Sequence, residues 1–162
     1  MIRDFRNDDL APVLDIWLRA SIQAHHFIAP EFWRNQLDAM RKVYLPGAMS
    51  RVFEADGAVA GFCSVYGDTL AALFVSPERQ GAGIGTQLLA DAMASKSTLQ
   101  LTVYSANAPG IHFYENQGFV VLKEQLDEHT GHLEKVMRWP LPVVTGTADG
   151  DPGVEPFPVQ SP

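Results

Sequence analysis

At 162 residues, 46% of them apolar, the chain is long enough for one domain with a full core, and no stretch of it reaches the length needed to span a bilayer. Its formal net charge of −7 comes without a basic stripe, which argues against a nucleic-acid surface and suits a cationic partner. The single Cys63 excludes an internal disulfide and a cysteine metal cluster, and with no basic-then-apolar leader visible we expect a cytoplasmic protein.

Met1 to Arg6 alternates as a first strand. Asn7 then caps a helix whose face is Leu10, Val13, Leu14 and Trp17, with Asp8 and Asp9 at its positive end. Ala20 to Ile28 reads as a break that carries His25, His26 and Phe27. A second helix starts near Pro30-Glu31 and stops at Pro46-Gly47. Arg51–Glu54 and Val59–Tyr66 are strands joined through Asp56-Gly57, a hairpin pair. Cys63 lies in an apolar run, so it reads as a buried small side chain rather than a nucleophile.

Leu70 to Val75 is a short apolar strand, and Ser76-Pro77 ends it because proline cannot donate to a ladder. Gln80, Gly81, Ala82, Gly83, Ile84, Gly85 and Thr86 follow, with three glycines in five positions, and Ile84, Leu88, Leu89 and Ala92 recur at helical spacing. Strand, glycine loop and helix make an anion cradle. Backbone N–H groups crowd a phosphate where no Cβ intervenes, and the helix adds unpaired donors and its dipole. A Walker A loop would need Lys-Ser/Thr after the last glycine, where Thr86-Gln87 stands. A dinucleotide fingerprint would need G-x-G-x-x-G, and the spacing Gly81-x-Gly83-x-Gly85 departs from it.

Leu99 to Tyr104 alternates as a strand, and Asn107 and Pro109 open a short helix carrying Phe113 and Tyr114 that ends at Gly118. Phe119–Leu126 and Leu133–Trp139 read as a closing hairpin around Thr130-Gly131. Residues 1–140 form the expected domain. Residues 141–162, rich in proline and glycine, read as an extended tail.

The Q-x-x-G-x-G loop of Gln80 to Gly85 behind its strand, followed by strand, Asn107, the Phe113-Tyr114 pair and Gly118-Phe119, resembles the GNAT superfamily of N-acyltransferases. The stretch His25-His26-Phe27-Ile28 is similar to that of its small bacterial members. The resemblance implies an α/β fold with a mixed, mostly antiparallel central sheet of about seven strands and four helices, splayed where CoA binds. It implies acetyl-CoA as cosubstrate and an amine acceptor, whether protein lysine, N-terminal amine or small amine, attacked without a covalent enzyme intermediate. In that scheme the loop from Gln80 to Thr86, with Arg79 beside it, holds the pyrophosphate. The backbone of Phe74 and Val75 pairs with pantetheine, and Asn107 holds the arm from the other side. No metal, nucleic acid or membrane partner is expected, and the chain is a monomer or homodimer.

Tyr114 is the candidate acid, since a phenol of pKa about 10 keeps its proton at neutral pH and a departing thiolate gains from a donor. The amine must lose a proton before attack, which at pH 7 costs a lysine side chain about 4.6 kcal/mol. No acid lies within Leu70 to Val75. His25, in the segment expected to wall the acceptor site with His26 and Phe27, or an ordered water is the candidate base, with His26, Glu31, Glu54 and Asp68 as alternates. The reading from another class is an acyl-CoA-binding module without chemistry.

Overall fold

The computed structural model describes residues 1–140, and the expected tail, 141–162, lies outside the described residues. Seven strands form one sheet in the order β1-β2-β3-β4-β5-β7-β6. They are β1 (Ile2–Asp4), β2 (Met49–Ala55), β3 (Ala58–Tyr66), β4 (Thr69–Val75), β5 (Leu99–Tyr104), β6 (Val120–Asp127) and β7 (His132–Trp139). Every neighbouring pair is antiparallel except β4 and β5. The helices are α1 (Leu10–Ala24), α2 (Pro30–Ala39), the three-residue α3 (Leu45–Gly47), α4 (Ile84–Ala94) and α5 (Ala108–Asn116). A π turn, Met40–Tyr44, runs α2 into α3, so four substantial helices flank the sheet as expected.

Side-chain alternation divides the core in two. On one face Val52, Phe62, Phe74 and Tyr104 pack with Val13, Trp17 and Trp33 of α1 and α2. On the other Leu73, Val75, Leu101, Val103 and Met137 pack with Leu88 and Leu89 of α4 and with Ile111 and Tyr114 of α5. Gly61 allows α4 to sit down on the sheet, because a Cβ there would lie 2.9 Å from the Phe74 carbonyl oxygen and 3.2 Å from Ile84 and Leu88. Asp56 (φ 53°) and Gly57 (φ +77°) make the expected tight turn between β2 and β3.

Two expectations need correction. Helix α1 does not break at Ala20 but continues to Ala24, because Ala20 and Ser21 prolong its buried face and neither glycine nor proline stands between Ala20 and Pro30. Nor does Asn7 cap α1. Residues Asn7–Asp9 form a 3-10 turn, pinned where the Asp9 carboxylate accepts from the Arg6 amide (2.7 Å) and from both terminal nitrogens of Arg3 (2.8 and 2.9 Å).

Candidate active site

The glycine loop takes the shape its sequence implies. Gly81 (φ +83°) and Gly83 (φ +82°) occupy the left-handed region, where a side chain is strained, and Gly83 is the residue from which α4 starts. The first helical bond runs from the Gln87 amide to the Gly83 carbonyl (3.1 Å), which leaves the amides of Ile84, Gly85 and Thr86 without an acceptor inside the helix. These donors and the positive end of α4 face a cavity of about 300 Å³ lined by Val75, Arg79, Gln80, Gly81, Gly83, Ile84, Gly85, Thr86 and Phe113. A phosphate group fits this donor set.

Neighbouring side chains hold the loop in place. Gln80 Nε2 donates to the Val75 carbonyl (3.2 Å), and Arg79, in the cavity wall, donates to Asp56 (2.9 Å). The Glu78 carboxylate accepts from Ser76 Oγ and from the Arg19 guanidinium, which ties α1 to the loop and draws the Glu78 pKa down to about 2, the serine contributing most. Phe113 is half-buried and lies 3.7 Å from where a Gly85 Cβ would stand. Its role as a cavity wall was not visible because the contact joins two helices distant in sequence.

A split in the sheet opens next to the cavity. Parallel strands β4 and β5 pair only at Thr69 and Gln100, so they part towards their C-terminal ends at Val75 and Tyr104. Phe74 and Val75 pair with β3 along their other edge. Tyr114 is fully buried on the α4–α5 side, its ring edge-on to Phe113 (5.1 Å) and Phe119 (5.5 Å). Asn107 is buried at the start of α5, where Oδ1 accepts from the Gly110 amide (3.1 Å) and caps the helix.

On the opposite face the segment after α1 packs over the far half of the sheet. Phe27 meets Tyr104 (5.7 Å between centroids) and His132 (5.2 Å), while His26 is exposed. His25 is wholly buried between Phe27, Trp33 and Tyr104. Burial, with the charge of His26 adding to it, lowers its pKa from 6.5 to about 4. A group that holds a proton only below about pH 4 and has no exposed surface is a poor acceptor for an amine proton, and its placement lends no support to the expected base.

Burial instead makes His25 a source of acid sensitivity. Between pH 6.5 and about 4 the unfolded chain binds a proton there that the folded chain does not. Its contribution to stability is therefore complete above pH 6.5 and declines as the pH falls through that window, by about 3 kcal/mol in all. Urea unfolding at pH 7.5 and 4.5 should show this loss in the wild type and lack it in His25→Leu. An identical decline in both would assign the sensitivity elsewhere.

The other candidates lie apart. Glu31 is held by Arg34 (2.5 Å) on α2, Glu54 by Arg3 (2.5 Å), and exposed Asp68 sits in the β3–β4 turn beside Gln100, at the closed end of the split. Burial raises the Cys63 thiol to about 12, so it packs and does not attack. Among the described residues no cluster of His, Cys, Asp and Glu could hold a metal ion, and no helix is long and apolar enough to cross a membrane.

Comparison with known proteins adds an independent line. The family profile described as "Acetyltransferase (GNAT) domain" matches residues 46–121. "Peptidyl-lysine N-acetyltransferase YiaC" of Escherichia coli K12 is 35% identical over 142 residues, 87% of this chain and 97% of that protein. The solution structure of apo YjaB from Escherichia coli superposes with a TM-score of 0.76 at 25% identity, over 86% of this chain and 96% of that one. The structure of yncA from Salmonella typhimurium with its cofactor acetyl-CoA has the same fold, with a TM-score of 0.60 at 21% identity over 91% of this chain and 97% of that one.

Proposed function

The chain belongs to the GNAT family and is an acetyl-CoA-dependent N-acetyltransferase acting on a primary amine, and from that premise we propose that its acceptor is a lysine side chain of a protein. The observation that carries this choice is the 35% identity to a peptidyl-lysine N-acetyltransferase along 97% of that relative's length. The acidic chain, at −7, suits an acceptor that arrives as an ammonium.

In the proposed scheme the amides from Ile84 to Thr86 and the flanking glycines hold the pyrophosphate of acetyl-CoA, the helix dipole substituting for the positive charge that the surface as a whole lacks. The pantetheine arm lies in the split, along the free edge of Phe74 and Val75. The amine attacks the thioester carbonyl, and Tyr114 gives its proton to the departing thiolate. Residues 1–140 carry this machinery. Incubation with acetyl-CoA and three acceptors, namely a lysine peptide with a blocked N-terminus, a lysine-free peptide with a free one and a small diamine, tests the choice by mass spectrometry. Acetyl on lysine Nζ is expected. Transfer only to the other two acceptors would overturn it.

A further inference from the structure

The polar side chains left over by the scheme collect in one place. On β5, Thr102 and Tyr104 point away from Leu101 and Val103, towards the α1–α2 face. Register sets Glu134 of β7 opposite Tyr104 on one side and opposite Gln125 of β6 on the other, with His132 opposite Asp127. The His25–Phe27 segment packs against this patch through Tyr104 and His132. Two carboxylates, Asp127 and Glu134, face it.

Asp127 is occupied by structure. Its Oδ2 accepts from Tyr104 Oη (2.6 Å) and Thr130 Oγ1 (2.9 Å), and its Oδ1 accepts from the His129 amide (3.0 Å). Glu134 is only 9% exposed and accepts from Gln125 Nε2 at 3.3 Å and from the Thr102 hydroxyl. Thr102 stands two residues beyond Gln100, the last position at which β5 pairs with β4, and so at the rim of the split. Glu134 is thereby a buried carboxylate beside the opening, on the face opposite Tyr114.

We propose that Glu134 binds the acceptor ammonium and takes the proton that nitrogen loses as it attacks the thioester. This rests on the reading of the chain as an acetyltransferase of lysine-type amines. The amine enters from the His25–Phe27 face and the thiolate leaves towards α5, so base and acid act from opposite sides of the sheet. Of the two protons nitrogen sheds on its way from ammonium to amide, one passes to Glu134 and on to water, and the sulfur acquires its own from Tyr114, which the second proton restores. The N–C bond forms as the C–S bond breaks, and one proton is released overall. Burial and the charge of Asp127 raise the Glu134 pKa above the usual carboxylate value, against the opposing influence of Gln125, Thr102 and His129, which makes it a stronger base than an exposed glutamate.

The pH dependence of kcat/KM for the amine, at saturating acetyl-CoA, distinguishes this role from a structural one. Wild-type enzyme should show a plateau between the ionisation of Glu134 and that of the amine. Glu134→Gln should be about 10- to 100-fold slower at pH 7 and should rise with pH towards the amine pKa, recovering most of the deficit, with acetyl-CoA affinity within about twofold. Glu134→Asp should keep the plateau at a lower rate. A rate unchanged in Glu134→Gln, or lowered by one factor at every pH, overturns the proposal. Should Glu134→Gln fail to fold, loss of the plateau in Glu134→Asp overturns it instead. If wild-type enzyme uses a different primary amine, the lysine reading fails alone, and the same profiles on that amine decide the role of Glu134.

Discussion

Tyr114→Phe is expected to slow acetyl transfer about 10- to 1000-fold while acetyl-CoA affinity stays within a few-fold, because it removes one proton and keeps the ring. The ring is what the fold requires. Tyr114 is fully buried, edge-on to Phe113 and Phe119, so the phenyl group retains every apolar contact and the variant should melt close to the wild type. What is lost, in the proposed scheme, is the donor for the departing thiolate, which with a pKa of about 8.5 ends as the thiol at neutral pH. Stopped-flow detection of free thiol, under conditions where transfer limits turnover, reads the effect. An unaltered rate would leave protonation to solvent and make Tyr114 a packing residue.

Gly83→Asp is expected to abolish acetyl-CoA binding in a chain that still folds. Its φ of +82° disfavours any side chain, though aspartate is among the residues that tolerate this region best, at a strain of about 1 kcal/mol. Space permits it too, the nearest atom to a Cβ there being Gln87 Nε2 at 4.0 Å. The decisive change is electrostatic. A carboxylate at the start of α4 would answer the same unpaired amides that the pyrophosphate needs and would repel that anion at close range. Calorimetric titration with acetyl-CoA and a thermal melt separate the two effects, and unchanged affinity in the folded variant would remove the pyrophosphate from this loop.

The glycine loop was legible because its geometry is local: the strand, the glycines and the first turn of α4 are consecutive, so spacing alone fixes their relation. The sheet content and the four helices followed from periodicity for the same reason. The base we propose was not legible. Glu134 sits next to Tyr104 through a register between strands thirty positions apart in sequence, and no local pattern encodes which residue of β7 stands opposite which residue of β5. His25 had the intrinsic pKa a base needs, but the rings of Trp33, Phe27 and Tyr104 that bury it come from three different elements. The end of α1 was misplaced because small residues such as Ala20 and Ser21 look like a turn until a buried face claims them.

Because β4 and β5 pair at a single point, a pantetheine arm bound as proposed along Phe74 and Val75 would complete the sheet. Acetyl-CoA binding to the folded chain alone then acts as a stabiliser, at 100 times its dissociation constant adding about 2.7 kcal/mol. Enzyme life span and enzyme activity thereby draw on one supply. When acetyl-CoA runs short the catalyst both idles and loosens, so proteolysis would thin its population at the time its work has ceased.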